Sequence, residues 1–225
     1  MPGDRDLRWE FLATIEPKLG QLVERVFDRM ELAGEAGSLL RIEEDIRDAV
    51  REIYGEHGEL FRMSDEGRWR KAEEEVLRAL RAYAERATNG RAFQGRLFTE
   101  DAAQGLGFID LCGLGYNVVL MNPPFGAFAD GVRSWAVSAW PRTKNDIHAA
   151  FVERAVTLLY PRGRVGAITS RTVFFLSSFQ KWREEILLKE APPVVVADLG
   201  HGVMDDAMVE AAAYVVEKAP GRGAR

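Results

Sequence analysis

The sequence predicts an α/β protein in which a partial, largely parallel sheet is preceded by an α-helical region. Apolar residues recur every three or four positions over the first third of the chain, the spacing of one helix face. Short apolar runs rich in β-branched residues then alternate with helical stretches, an order typical of parallel sheets. We therefore expect a helical region over residues 1–90, a sheet domain over 91–217 and a disordered basic tail over 218–225.

The helical region carries three apolar stripes, which glycines separate. We expect them to pack on one another or on a partner domain, because such stripes usually form core. The last stripe stops at Asn89-Gly90, a pair that commonly ends helices. The stripes are formed by Leu12, Ile15, Leu19, Leu22, Val26 and Met30, then by Leu39, Ile42, Ile46, Val50 and Ile53, and finally by Trp69, Val76, Leu80 and Tyr83.

The sheet domain contains five strand candidates, of which the first is weak. They are residues 96–99, 116–121, 164–169, 194–199 and 212–217. We expect the runs at 116–121 and 194–199 to be buried, because both are largely apolar and β-branched. Helical spacing starting at Asn145 or Asp146, and again over Ser177–Lys189, predicts a helix on each side of the third strand candidate.

Composition excludes several classes of function. The 225 residues carry a formal net charge of −5, so bulk charge does not favour nucleic-acid binding. One cysteine, Cys112, fits a reducing cytoplasm. No apolar stretch is long enough to span a membrane, and the three histidines are not spaced like metal ligands. We expect a cytoplasmic protein with neither a membrane nor a metal among its partners.

The tetrapeptide Asn122-Pro123-Pro124-Phe125 directly follows the strand candidate at 116–121. In open α/β sheets the carboxyl ends of the strands form the ligand-binding edge. The Asn122 side-chain oxygen and the Pro123 carbonyl could accept both N–H bonds of an exocyclic amino group, and Phe125 could stack on its base. A duplex hides such a base, so it would have to flip out. The alternative is a simple tight turn, since Asn-Pro commonly starts one.

A basic, aromatic segment, which we expect to be a loop from Gly126 to Asn145, follows the tetrapeptide. It contains Arg133, Trp135, Trp140, Arg142 and Lys144. Aromatic rings mixed with cations hold flipped or single-stranded nucleotides, so we expect these residues to bind nucleic acid together with Phe125. The alternative is that the tryptophans pack into the domain.

The stretch Tyr116–Gly126 resembles the Asn-Pro-Pro-Phe/Tyr motif of amino-directed, S-adenosylmethionine-dependent methyltransferases. Together with residues 145–155, 162–169 and 196–200, it is similar to the large adenine-specific DNA methyltransferases of restriction–modification and BREX-type phage-defence systems. The resemblance implies a partial Rossmann-like methyltransferase sheet. It also implies that the protein methylates N6 of adenine in double-stranded DNA. It implies that Asn122, Pro123, Pro124 and Phe125 are catalytic, and that Asn122 and Asp101 lie near the cofactor, S-adenosylmethionine.

The glycine-rich turn that binds the methyl donor in that family is not evident. Cys112-Gly113-Leu114-Gly115 has a similar composition, but it leads straight into a strand, whereas such a turn should follow a strand and open a helix. We therefore expect the chain to bind the donor weakly and an upstream or partner polypeptide to complete the fold. Two alternatives remain open: a non-catalytic subunit that binds DNA or a partner chain, and an enzyme acting on RNA or a protein glutamine.

Overall fold

The computed structural model forms two compact units, Met1–Gly113 and Leu114–Arg225. The structure describes residues 9–30, 36–44, 48, 74–75, 78–79, 82, 111–203 and 209–220. The weak strand candidate at 96–99 and the expected boundary near residue 90 lie outside these residues, so both stay predictions. Within the described part of the chain, no helix has the length and apolar character needed to cross a membrane.

The first unit is mainly helical where it is described. Helix α1 spans Pro17–Met30, and its first position is a proline, which lacks the N–H that a helix start leaves unpaired anyway. A 3₁₀ turn over Gly37–Leu40 follows. Residues 13–16 form a turn, so the first predicted stripe is divided between two helical segments. Glu43 is buried in this unit together with a set of apolar residues, which are Phe11, Val23, Ala36, Leu39, Leu40, Ile42, Ala79 and Cys112.

The second unit is an α/β layer structure, which confirms the predicted fold class. Its strands are β1 (Tyr116–Met121), β2 (Leu159–Ser170), β3 (Pro193–Gly200) and β4 (Ala211–Glu217). Its helices are α2 (Asp130–Ala139), α3 (Ile147–Leu158) and a π-helix (Trp182–Glu190), with 3₁₀ turns at Arg171–Phe174 and Ser177–Phe179.

The four strands form one sheet in the order β1-β2-β4-β3. Strand β1 pairs with β2 in parallel, which confirms the strand–helix–strand prediction. Strand β4 runs antiparallel to both β2 and β3. The carboxyl ends of β1, β2 and β3 therefore meet at one edge of the sheet, together with the start of β4.

Helix α3 and the π-helix cover one face of this sheet. Val165 and Ala167 of β2 and Val216 of β4 are buried on that face. The Tyr214 ring stands edge-on to Trp182, with centroids 6.2 Å apart. The Tyr214 hydroxyl accepts from Thr169 Oγ1 at 3.3 Å. Burial strongly raises the pKa of the Tyr214 phenol, so this core tyrosine stays neutral.

No described helix covers the opposite face of the sheet, and this corrects the prediction that β1 and β3 are buried. Val118 is 59% exposed and Leu120 80%, and residues 193–199 of β3 are all exposed. The apolar runs do form strands, but a parallel strand is buried only when layers cover both faces. Here the described helices cover only one.

Three further predictions are wrong in detail. The segment predicted as a loop between the tetrapeptide and residue 145 contains α2. The helix expected over Ser177–Lys189 is a 3₁₀ turn followed by the π-helix. The tail expected to be disordered begins with ordered residues, because the Lys218 N–H donates to Gly163 O and the Ala219 N–H to Glu190 O. Residues 221–225 lie outside the described part.

Two glycines of β2 give a matched pair for a stability test. A Cβ at Gly163 would lie 2.9 Å from the carbonyl oxygens of Tyr116 and Tyr160, whereas one at Gly166 would meet only the exposed Leu120 side chain. We expect Gly163→Ala to lower the free energy of unfolding by about 1–3 kcal/mol, the usual cost of overpacking. Gly166→Ala should change it by under about 1 kcal/mol, because Leu120 can move aside. Urea denaturation measures both, and equal losses would contradict the assignment of close backbone approach to Gly163 alone.

Candidate active site

The tetrapeptide lies at the carboxyl edge of the sheet, directly after the last residue of β1. Asn122 and Pro124 are exposed, Pro123 is buried and Phe125 is half-buried. Asn122 also lines a shallow groove of about 570 Å³ on the uncovered face, where its other neighbours are mainly apolar residues of the four strands. The tetrapeptide thus presents an amide and part of an aromatic ring to solvent, on a backbone that two prolines stiffen.

Gly126 fixes the far end of the tetrapeptide. Its φ of +109° is a backbone conformation that favours glycine. Its N–H donates to Asp146 Oδ1 at 3.2 Å, and its carbonyl accepts from the Ile147 N–H at 2.9 Å. The same Asp146 oxygen caps α3 by accepting from the His148 N–H at 3.3 Å. The turn after the tetrapeptide is therefore joined to the start of α3.

The Phe125 ring packs against His148. Their ring centroids are 5.7 Å apart, and the Phe179 centroid also lies 5.7 Å from that of the imidazole. His148 is 1% exposed, and its Nδ1 lies 2.6 Å from Asp146 Oδ1, although the angle is not that of a well-directed hydrogen bond. The sequence analysis did not assign His148 to the site. The feature of the sequence that could have pointed to His148 is its position, two residues after the cap of the helix that follows the tetrapeptide.

Of the five residues in the basic, aromatic segment, one is buried and one is half-buried in ion pairs. Trp140 is fully buried. Arg142 Nε donates to Glu153 Oε1 at 2.8 Å, its Nη1 pairs with Glu190, and the Thr143 hydroxyl donates to Glu153 Oε2 at 2.7 Å. Burial disfavours the Arg142 charge, but the two glutamates outweigh it and raise the pKa of the guanidinium. Trp140 thus follows the alternative that the tryptophans pack into the domain, and Arg142 is held by glutamates, so this part of the nucleic-acid prediction is wrong.

The other three lie on or just beyond α2 and remain accessible. Arg133 and Lys144 are exposed, and Trp135 is half-buried. Arg133 is 57% exposed, and its Nε lies 3.9 Å from an oxygen of the fully exposed Asp130. An ion pair this long and exposed is weak, so Arg133 can exchange it for another anion. The expectation that these three bind nucleic acid stays a prediction.

A charged cluster that the sequence patterns did not predict lies at the same sheet edge. Arg171, directly after β2, donates to Asp198 of β3 at 3.0 Å and lies 2.6 Å from Glu210, just before β4. His201 lies 3.0 Å from the other Glu210 oxygen. The Gly200 N–H, and then Arg171, lower the pKa of Asp198. Arg171 directly follows β2, and residues that follow parallel strands meet at one edge of a sheet. This position is the feature of the sequence that could have pointed to the cluster.

No described group of residues forms a glycine-rich turn of the kind that binds the methyl donor in the resembled family. Gly113 ends a helical segment and Gly115 immediately precedes β1, so neither lies between a strand and a following helix. Asp101 lies outside the described residues, and its predicted place near the cofactor stays a prediction. Among the described histidines, cysteine, aspartates and glutamates, no cluster of three could hold a metal ion.

Comparison with known proteins gives three findings. The family model "Eco57I restriction-modification methylase" matches residues 64–200, more than half of the chain. The adenine-specific methyltransferase PglX of Lacticaseibacillus casei (strain Zhang) is 29% identical over 109 residues, which are 46% of this chain but only 9% of PglX. A solved structure from Listeria monocytogenes, assigned to the class I S-adenosylmethionine-dependent methyltransferases, is 12% identical, with a TM-score of 0.41 and coverage of 91% of this chain and 88% of that one.

Proposed function

Since the chain belongs to the Eco57I restriction-modification methylase family, we propose that it supplies the target-base half of an adenine-specific DNA methyltransferase. The reaction would transfer a methyl group from S-adenosylmethionine to N6 of an adenine flipped out of double-stranded DNA. The observation that carries this proposal is the tetrapeptide at the carboxyl edge of β1, with Asn122 exposed beside the half-exposed Phe125 ring. The adenine preference also agrees with the name of the PglX relative.

The chemistry follows from the acceptors that this edge offers. The lone pair of an exocyclic amino group is delocalised into the base, so the nitrogen is a poor nucleophile. Acceptors on its two N–H bonds, the Asn122 Oδ1 and the Pro123 carbonyl, favour a pyramidal nitrogen and stabilise the positive charge that develops during transfer. Phe125 would stack on the flipped base. The new N–C bond forms as the donor's S–C bond breaks, and the nitrogen then loses one proton.

The described residues do not provide a complete donor site. S-adenosylmethionine supplies the methyl group, but the glycine-rich segment at 112–115 leads straight into β1 and does not open a helix, as a donor-binding turn should. We therefore assign donor binding largely to another polypeptide segment. The chain spans 9% of the length of the PglX relative, so the activity of a whole enzyme is a proposal about a larger assembly.

The uncovered face of the sheet is where we place that segment. Leu120, Val195 and Val215 expose apolar surface there, and no described strand pairs with the outer edge of β1. A further strand on this edge and helices on this face would bury what is now exposed, since parallel sheets are normally covered on both sides. DNA as the substrate and the single thiol of Cys112 both fit the cytoplasm as the proposed compartment.

Binding of the methyl donor by the chain alone gives a direct prediction. We expect weak binding or none, because the glycine-rich segment at 112–115 leads into a strand and not into a helix, unlike a donor-binding turn. Isothermal titration with S-adenosylmethionine measures it, and S-adenosylhomocysteine serves as a second ligand of the same shape. Micromolar affinity for either would contradict the assignment of donor binding to another segment.

Methyl transfer tests the function itself. The chain is incubated with labelled donor at millimolar concentration and, in parallel, with DNA, RNA and a glutamine-containing protein, and the methylated product is identified by mass spectrometry. N6-methyladenine in DNA alone supports the proposal, and DNA whose adenines are already N6-methylated is the matched control. Label in RNA or protein alone would overturn it.

A second candidate function is that of a DNA-binding subunit that does not catalyse, and the missing donor turn favours it. The two candidates differ in one outcome. A subunit of this kind binds DNA but transfers no label, even when the donor-binding polypeptide of the same system is added. An enzyme half gains activity on that addition.

A further inference from the structure

One carboxylate oxygen of Asp146 lies close to three groups at the start of α3. That oxygen accepts from the Gly126 N–H at 3.2 Å and from the His148 N–H at 3.3 Å, and the His148 imidazole Nδ1 lies 2.6 Å away. The two N–H groups belong to the end of the tetrapeptide turn and to the first turn of a helix. A rotation of this carboxylate would therefore disturb the turn, the helix cap and the imidazole together.

The His148 ring links that carboxylate to the aromatic face of the site. It is 1% exposed and packs against the rings of Phe125 and Phe179, with a centroid separation of 5.7 Å in each pair. Phe125 is half-buried, so one part of its ring packs on the imidazole while another part faces solvent. The orientation of the solvent-facing part depends on the group packed behind it.

The segment that carries Phe179 is also tied to the start of α3. The Asn145 side chain donates to the Ser178 carbonyl at 2.7 Å, which ties the residue before Asp146 to the 3₁₀ turn that carries Phe179. The Phe179 ring is itself buried, at 4% exposure. The two rings that contact the imidazole thus belong to segments that hydrogen bonds tie to the start of α3, which limits how far the imidazole can tilt.

We infer that Asp146 and His148 are positioning residues that hold the Phe125 ring and the Gly126 turn in the geometry in which a flipped base stacks. This inference rests on the proposed function, which assigns base stacking to Phe125. Neither residue touches the base. Asp146 sets the angle of the turn through Gly126, and His148 sets the tilt of the ring by packing behind it. A base-binding site needs its contact groups held by such a supporting layer, because small displacements cost much of the binding.

The first test measures the ring and the turn without any ligand. In NMR spectra of the full chain, we expect His148→Ala to shift the Phe125 ring signals and speed its ring flips, and Asp146→Ala to shift the Gly126 amide signal. His148→Phe should restore the Phe125 signals, because it keeps an aromatic ring behind them. Val216→Ala, a buried truncation in the β4 core, controls for general loss of packing. Unchanged Phe125 and Gly126 signals in both alanine variants would overturn the inference.

The second test measures base stacking with a defined probe. A single-stranded oligodeoxyadenylate and the same strand with abasic sites are titrated against each variant, and the ratio of their dissociation constants isolates the contribution of the bases. We expect His148→Ala to reduce this ratio by about fivefold, a fraction of what a stacked base contributes, and His148→Phe to recover it. An unchanged ratio in His148→Ala would contradict the positioning role.

The two tests fail separately. If the unmodified chain does not distinguish the adenine strand from the abasic one, the proposed function of Phe125 fails, while the NMR comparison still decides whether Asp146 and His148 orient the ring. If the chain does distinguish them and the alanine variants behave like it in both tests, the proposed function stands and the positioning role is wrong.

Discussion

Asn122→Ala is expected to lower the rate of methyl transfer by about 10²–10³-fold, the usual cost of removing one preorganised polar group from a reacting centre. The variant loses the side-chain acceptor for the adenine amino group, while the Pro123 carbonyl, the prolines and Phe125 remain. The measurement is single-turnover transfer of labelled methyl groups to adenine-containing DNA, in the presence of the polypeptide that completes the donor site.

Two comparisons make this result specific. Asn122 is exposed, so its replacement should leave the unfolding free energy within about 0.5 kcal/mol of the original. DNA affinity should also be kept, because the amide acts on the reacting nitrogen and not on phosphate. Asn122→Asp retains an acceptor oxygen and should keep more activity than Asn122→Ala. Full activity in the alanine variant would contradict the proposed mechanism.

Arg142→Ala is expected to lower the free energy of unfolding by about 3 kcal/mol, near the low end of the range for breaking a buried ion pair. The Glu153 side chain is 4% exposed and would lose its guanidinium partner, keeping only the Thr143 hydroxyl. Arg142 itself is 22% exposed, which places the effect at the lower end. Chemical denaturation monitored by circular dichroism gives the value.

A matched control is available on the sheet. Arg164 also pairs with a glutamate, Glu217, at 2.8 Å, but its side chain is 55% exposed. Arg164→Ala should cost under about 1 kcal/mol, as solvent-exposed ion pairs usually do. If both variants lost the same stability, the difference in burial would not be what makes the Arg142 pair important.

The contrast between Arg142 and Arg133 shows where sequence patterns reach their limit. Both are arginines in one short segment, and composition alone assigned both to nucleic acid. Their environments differ because α3 places Glu153 against Arg142, a contact eleven residues along the chain that no local pattern specifies. Trp140 is misassigned for the same reason, since burial of an aromatic ring depends on tertiary packing.

Strand positions were more predictable than their surroundings. The runs at 116–121 and 212–217 form β1 and β4 as expected, because β-branched composition is a local property. The antiparallel direction of β4 and the exposure of β1 depend on which elements lie beside them. The tetrapeptide could be placed at the sheet edge from its sequence, whereas the contacts of His148 with Phe125 and Phe179 required the fold.

The outer edge of β1 has a consequence for how the chain behaves outside a complete assembly. An unpaired edge strand offers a row of backbone donors and acceptors to any other extended chain, and proteins usually protect such edges with charges, prolines or bulges. The residues 116–121 carry none of these charges or prolines, and Val118 and Leu120 project apolar side chains. Since no described strand pairs with this edge, the strand that brings the tetrapeptide to the sheet edge is also a template for aggregation until the correct segment pairs with it.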